Sequence, residues 1–598
     1  MEKKQFPFSQ NSILALVMVV ALFVFAGFFF DFYYDLNDDV MIKDILSGAY
    51  TGTPDAHSIQ MLYPISLIIS LCYRVIPILP WQGLFLCFCH GLSLYLIAKR
   101  SLSFVEKTWK KVCLLLAEAV VILTLFIWEL VIVQYTITSA LLAAVACFLV
   151  ITSDIESGCC WRVFLKQQIV PILLVVLAFN IRSEMLLLMS PFIAFSGICK
   201  WAEEKKIFAA ETIKKYLSLI GIILLGMGIS FLADYIAYSG SEWREFRDFF
   251  NARTKVYDYT WYPAYEEAEE FYQNIGVTPA KIALIDNYNF GLDESIDAKM
   301  LWDIADYAEG MDVKEPLIAR VKSAFVDYKW RTLHEQDAPY NFFVLMAYGM
   351  VVALGLVFRD KTIIWKIPAL ILFRTVPWMY VILANRVPPR ISHPLYYIEF
   401  IILCAWMLIY SKKNRDVDVS DSKEVRVKEG RNRSLMLCAV LISVHALIRL
   451  PGMWQMADAE IARRESVNKI MVEFDAYAEG HPENYYYMDV YSTVAFSEKM
   501  FEDVDNSQKN YDLLGGWVSG SPLQKQTTVN YYEDMLSRAE LLLSDNFSFV
   551  IEEGRDISFL NNFYRTLGIE IEAEVIDTVR AQECELVIYR IYSKSTIH

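Results

Sequence analysis

Four carboxylates, Asp31, Asp35, Asp38 and Asp39, fall within nine residues directly after the first long apolar run of the chain. They precede an amphipathic turn with Met41, Ile42, Ile45 and Leu46 on one face, followed by Gly48. Asp38 and Asp39 are candidates for a general base, because a carboxylate in a partly desolvated cleft can take a proton from an acceptor hydroxyl. The alternative is a solvated helix start, with Asn37 or Asp38 as N-cap and the acids favoured by the helix dipole. A second group, Asn385-Arg386-Val-Pro-Pro-Arg390-Ile-Ser-His393-Pro394, places two guanidinium groups and an imidazole in a proline-stiffened stretch. A guanidinium fork matches two phosphate oxygens and stays charged, so Arg386, Arg390 and His393 are candidates for holding a phosphate. Snorkelling at the membrane interface, or pairing with acidic segments, is the other reading of these arginines. A third group, Asn180-Ile-Arg182-Ser-Glu184, is a polar break between two apolar halves. There Arg182 either contacts a ligand or pairs locally with Glu184. Asp35, His57, Tyr63 and Glu184 complete the candidate pocket, although no metal-ligand spacing surrounds His57 or His334, which read as ordinary loop residues. Glu118, Glu129 and Arg374 lie inside apolar runs and have no assignable role.

These groups are spaced by runs that only hydrocarbon can solvate. The 598 residues are 55% hydrophobic, and mean hydropathy is +0.32, above the range of soluble globular chains. Some 20 apolar residues cross a hydrocarbon layer of about 30 Å. Spans are expected near 11–30, 81–98, 112–133, 137–152, 168–180, 185–199, 213–235, 341–358, 362–383, 395–411 and 434–450. Ser58–Leu79 is expected to dip into the membrane or lie along its outer face. Lys99, Arg100, Lys107, Lys110 and Lys111 cluster in one short loop, and eight Lys/Arg fall within 412–433. The positive-inside rule therefore puts both loops and the N-terminus in the cytoplasm. Segment 236–338, with 20 acidic and 11 basic residues, and the chain from Pro451 onward, with 26 and 12, then lie outside. A net charge of −15 excludes nucleic acid as a partner.

The expected fold is mainly α: a polytopic bundle over 1–450, with extracytoplasmic segments 31–79 and 236–338, and an extracytoplasmic α/β domain over 451–598. In Pro316–Trp330, Leu317, Ile318, Val321 and Phe325 share one helical face. Tyr485–Val490, Ser548–Ile551 and Leu586–Tyr592 read as strands; Ile461–Ala478 and Val529–Leu543 read as helices. Of eleven cysteines only Cys584 falls in the large C-terminal segment, so no disulfide framework is expected.

Taken together, the chain resembles the GT-C superfamily of integral membrane glycosyltransferases, in the mannosyltransferase and aminoarabinose-transferase branch. That family follows its first span with an acidic motif opening a surface helix, then a Gly and a Pro-containing stretch. Asp38-Asp39, Gly48 and Tyr63-Pro64 are the matching residues here. Arg390-Ile-Ser-His-Pro394-Leu is similar to its late loop, in which an Arg and Pro precede a span. The chain has Asp-Asp where Asp-Glu is usual, and it lacks the Lys-Pro-Pro-Leu stretch common in the family. The resemblance implies a plasma-membrane enzyme that takes a sugar from a polyprenyl-phosphate donor to a glycan, lipid or protein acceptor. Asp38 would act as base, and Arg390 with Arg182 would stabilise the departing lipid phosphate. No cofactor is specified; a divalent cation is compatible with the acidic cluster. The rival expectations are a transporter or flippase of envelope polymers, and a non-catalytic envelope protein.

Overall fold

The computed structural model describes residues 9–154, 159–311, 315–412, 422–501, 506–528, 536–582 and 584–594. The chain is mainly helical with a small sheet near its C-terminus, and it is a membrane protein. Among the described residues nine helices are long and apolar enough to cross a membrane, or ten if one bent pair counts as a span. In chain order the first half comprises α1 Gln10–Phe29, α2 Asn37–Ser47, α3 Tyr63–Val75, α4 Trp81–Leu102, α5 Thr108–Leu125, α6 Ile127–Val131, α7 Tyr135–Thr152, α8 Trp161–Gln167, α9 Ile169–Ile181, α10 Ser183–Trp201 and α11 Ala210–Ala237. There follow α12 Ser241–Tyr259, α13 Glu269–Asn274, α14 Pro279–Asp286, α15 Ala298–Met311, α16 Leu317–Leu333, α17 Tyr340–Phe358, α18 Ile363–Leu383, α19 Pro389–Lys412 and α20 Ser422–Glu479.

Ten of the eleven expected spans coincide with these candidates, counting the pair α8 and α9, which meet at 58°. The eleventh differs. The run 112–133 ends as α5 at Leu125, bends at Phe126, and gives way to the single turns of α6 and a short strand. Lys110, Lys111 and Glu118 place three charges on α5 itself. The interruption matters because it frees residues 132–133 to pair in parallel with 33–34: β1 Tyr33–Tyr34 and β2 Ile132–Val133 hold the chain after α1 against the chain before α7. The helix α3 has 13 residues, about 20 Å, and is too short to cross.

The C-terminal strands are β3 Tyr485–Met488, β4 Tyr511–Leu513, β5 Phe547–Glu552, β6 Ile571–Ala581 and β7 Cys584–Ser593, in sheet order β4-β3-β5-β7-β6. Pairing is parallel from β4 through β5 and antiparallel from β5 through β6. The short helices α21 Gln524–Thr527, α22 Arg538–Leu541 and α23 Ser558–Thr566 fill the connections. Of the expected helix Val529–Leu543, 529–535 lie outside the described residues, and α22 is all that forms beyond them, capped by Ser537.

Alternation along β3 explains how this sheet is covered, since successive side chains point to opposite faces. Tyr485 and Tyr487 join a core with Ala252, Val256, Leu284, Leu301 and Ile304 from α12, α14 and α15. Tyr486 and Met488 join a second core with Ile470, Met471 and Phe474 from α20. Segment 241–311 and the C-terminal sheet therefore contribute to one hydrophobic core. The expected boundary at 450/451 also falls inside the continuous helix α20, which carries the last span straight into the face of the sheet.

A further difference concerns α16. It forms where expected, but Leu317, Ile318, Val321 and Phe325 are exposed, and only Ala324 and Tyr328 are buried.

Candidate functional site

The site is assembled where α2 meets the first turn of α7, the break between α9 and α10, the middle of α12, the start of α19 and one loop of the sheet unit. Asp38 and Asp39 occupy the first turn of α2, where acids suit the helix dipole, and Gly48 closes the helix. Gly48 is required there. Its φ is +94°, and a Cβ would sit 2.8 Å from the backbone of Thr53 and Pro54.

The two adjacent aspartates do different things. Asp39 is fully buried; its Oδ1 accepts the backbone N–H of Tyr135 at 3.2 Å and its Oδ2 that of Leu36 at 3.4 Å. It caps α2 and ties it to α7. Burial raises its carboxyl well above the usual range, as do the charges of Asp35 and Asp38, while the two N–H groups act the other way. Asp38 is half-buried and points elsewhere. It faces the guanidinium groups of Arg390, Arg182 and Arg253, and the indole N–H of Trp517 donates to it. Burial raises its pKa, and the three arginines and the indole oppose that rise.

Among the described residues, neither Asp38 nor Arg390 makes an ion pair within 4.0 Å. Arg390, half-buried in the first turn of α19, has no hydrogen-bond partner there either, and its charge is felt by Asp35 and Asp38. Arg182 takes the extended backbone that joins α9 to α10. It donates to Gln60 Oε1 at 2.6 Å, pairs with exposed Glu184 at 3.2 Å and lies over the Tyr135 ring at 5.3 Å. Glu184 thus serves as its surface partner. Arg253 is 7% exposed, donates to Tyr288 Oη and Thr254 Oγ1, and leaves its Nε unbonded.

Asp35 is committed to structure. Arg464 of α20 holds its Oδ1 at 2.8 Å and its carbonyl at 2.5 Å, and also bonds the carbonyl of Tyr34. Burial nonetheless raises its pKa, with Arg464 and Arg390 opposing. The other end of α2 is clamped by four charges. Lys43 Nζ lies 2.6 Å from Asp44 and 2.5 Å from Glu498, and Lys509 Nζ lies 3.0 Å from each.

The remaining sequence candidates are engaged away from this group. His57 bonds Asp55 at 2.7 Å and stacks on Trp243 at 4.7 Å, with Tyr63 beside it at 5.1 Å. Tyr63 donates its backbone N–H to Asp234 at 3.0 Å. Arg386 pairs with Asp258 at 3.1 Å and covers Tyr259. His393, one turn beyond Arg390, meets the buried Glu129 at 3.0 Å, and Tyr397 donates to the same oxygen at 2.5 Å.

Two residues here are absent from the sequence expectations. Arg253 has no local signal, because its partners lie in other elements. Trp517 carries one, the flanking glycines of Gly515-Gly516-Trp517-Val518-Ser519-Gly520. Gly515 packs against the carbonyl of Tyr288 so closely that no Cβ fits, which seats this loop over the site. Among the described residues, no group of three or more His, Cys, Asp or Glu is placed to hold a metal ion.

Comparison of the chain with protein-family models, with curated proteins and with solved structures finds no match. Function must therefore be argued from this geometry. At this site a carboxylate whose pKa burial raises lies in the field of three arginines with which it makes no ion pair.

Proposed function

We propose that the chain is a membrane glycosyltransferase of GT-C type, moving a sugar from a polyprenyl-phosphate donor to a hydroxyl of a glycan, lipid or protein acceptor. The observation that carries the reading is Asp38 facing Arg390, Arg182 and Arg253 without ion-pair contact. In the transfer, the acceptor oxygen bonds to the anomeric carbon as the bond from that carbon to the phosphate oxygen breaks. The electron pair leaves with the polyprenyl phosphate, and the hydroxyl proton passes to Asp38. Negative charge grows on the phosphate, where fixed guanidinium groups stabilise it most. His393, paired with Glu129, helps fix the first turn of α19, which carries Arg390.

The topology that goes with this reading puts the N-terminus and the loops 99–111 and 412–433 in the cytoplasm of a plasma-membrane protein, with α5 counted as a crossing. The sheet unit and 241–311 then lie outside, at the face where Asp38 sits. Lys/Arg asymmetry supports that orientation. The test is incubation of the purified full chain with radiolabelled polyprenyl-phosphate sugars and mixed envelope acceptors. Label that appears in an acceptor, and is lost with Asp38→Asn, supports the proposal. Absence of transfer from every donor, with the folded chain present, removes it.

A further inference from the structure

We infer that α16 is sunk into the bilayer leaflet on the side of the C-terminal sheet, with phospholipid acyl chains occupying its uncovered apolar face. Depth is the first argument. Tyr328 of α16 bonds Thr375 at 3.1 Å and accepts from Arg374 at 3.0 Å, and Thr332 accepts from Arg374 at 3.1 Å. Thr375 lies eight residues (375 to 383) before the end of the candidate span α18, about 12 Å along its axis. Arg374 in turn pairs with Glu399 at 2.8 Å. Glu399 is ten residues (389 to 399) into the candidate span α19, about 15 Å from its start. Both measures put the middle of α16 at hydrocarbon depth beside α18.

What α16 shows to its surroundings is the second argument. Ile318 is 84% exposed, Phe325 54% and Trp330 53%, with Val326 and Leu333 also uncovered. At the same depth Leu372 and Val376 of α18 are exposed, so the apolar surface of a span continues onto α16. An amphipathic helix at that depth has acyl chains as its neighbour. Lys322 and Lys329 stand on the exposed side, where their apolar stems can lie among acyl chains while the ammonium groups snorkel toward the headgroups. The third argument is capping. Asn341 Nδ2 donates to the carbonyls of Arg331, Thr332 and His334 at 3.1, 3.3 and 2.6 Å. These bonds tie the C-terminal end of α16 to the first turn of the candidate span α17.

The inference is independent of the transferase reading. It is tested on the unmodified full chain in phosphatidylcholine–phosphatidylglycerol vesicles doped with a phosphatidylcholine bearing an acyl-chain diazirine. After photolysis, peptide mapping should find lipid adducts on 317–333 at a yield comparable with 363–383, and roughly tenfold or more above 558–566 of the sheet unit. Adducts on 363–383 without any on 317–333 would overturn it. So would amine crosslinking through Lys322 and Lys329 that joins two copies of the chain, since a second copy would then cover this face.

Discussion

Asp39 accepts the backbone N–H of Tyr135 at 3.2 Å, and that one bond separates the roles of two adjacent aspartates. Asp39 spends its carboxylate on joining α2 to α7, which leaves Asp38, about 100° further round the helix, to face the arginines.

Asp38→Asn and Asp39→Asn should therefore fail differently. The first should lower sugar transfer by ~10²–10⁴, the usual loss for a general base, with an unchanged melting temperature. The second should cost about 1 kcal/mol of stability, as a lost cap does, and retain most activity. Near-normal transfer by both variants in a radiolabel assay would mean that the base lies elsewhere.

On the proposed reaction, the acid limb of the pH–rate profile should report Asp38. The base works ionised, so transfer falls as pH drops through its pKa, which burial raises and Arg390 lowers. Arg390→Ala removes a lowering contribution, and the limb must move to higher pH. The same change should cost ~10²–10³ in kcat by withdrawing a cation from the leaving phosphate. A limb that stays in place, or moves to lower pH, contradicts the arrangement of charges.

Glu498 supplies a stability readout that is separate from chemistry. Burial raises its pKa, but Lys43 and Lys509 outweigh burial and hold it at about 2. Its unfolded value is about 4.3, so its contribution is fully present above that pH and is lost as pH falls from there toward the folded value. Glu498→Gln should destabilise the chain by about 1–3 kcal/mol at neutral pH, because buried Lys43 and half-buried Lys509 lose one of their two carboxylate partners. It should also flatten the acid loss. Melting curves from pH 6 down to pH 3 that superimpose for wild type and variant would refute this.

The shared core decides what happens to fragments. Residues 455–598 expressed alone expose Tyr485, Tyr487, Phe547 and Phe549, and should aggregate or stay molten. Joined to 241–311, the same segment should be monomeric and melt cooperatively. A cooperative, monomeric 455–598 by itself would show that the helices α12–α15 are dispensable to the sheet.

Local pattern carried much of this fold. The three expected strands lie within two residues of β3, β5 and β7, because each is a short β-branched or aromatic run between turn residues. The Asp38–Asp39 pair and Arg390 were visible as charge beside apolar runs, where desolvation makes charge informative. Other features were not legible, since they depend on contacts across hundreds of residues. Arg253 meets Asp38 only after α12 docks on the sheet. His57 looked available, yet Asp55 and Trp243 occupy it. The expected span 434–450 stops just before Pro451-Gly452, yet α20 continues through that pair to Glu479.

That continuity makes α20 a ruler. From Met436 to Glu479 it runs without a break for 44 residues, about 66 Å at the usual helical rise. About two thirds of the way along, Arg464 grips the backbone of Tyr34 and Asp35 just ahead of Asp38. On the proposed topology, this contact couples the position of Asp38 to that of the last span. Membranes of different thickness are met by tilting such a helix. On the proposed function, tilt would alter how far Asp38 stands from the plane of the lipid phosphates, so lipid chain length should affect the rate of transfer.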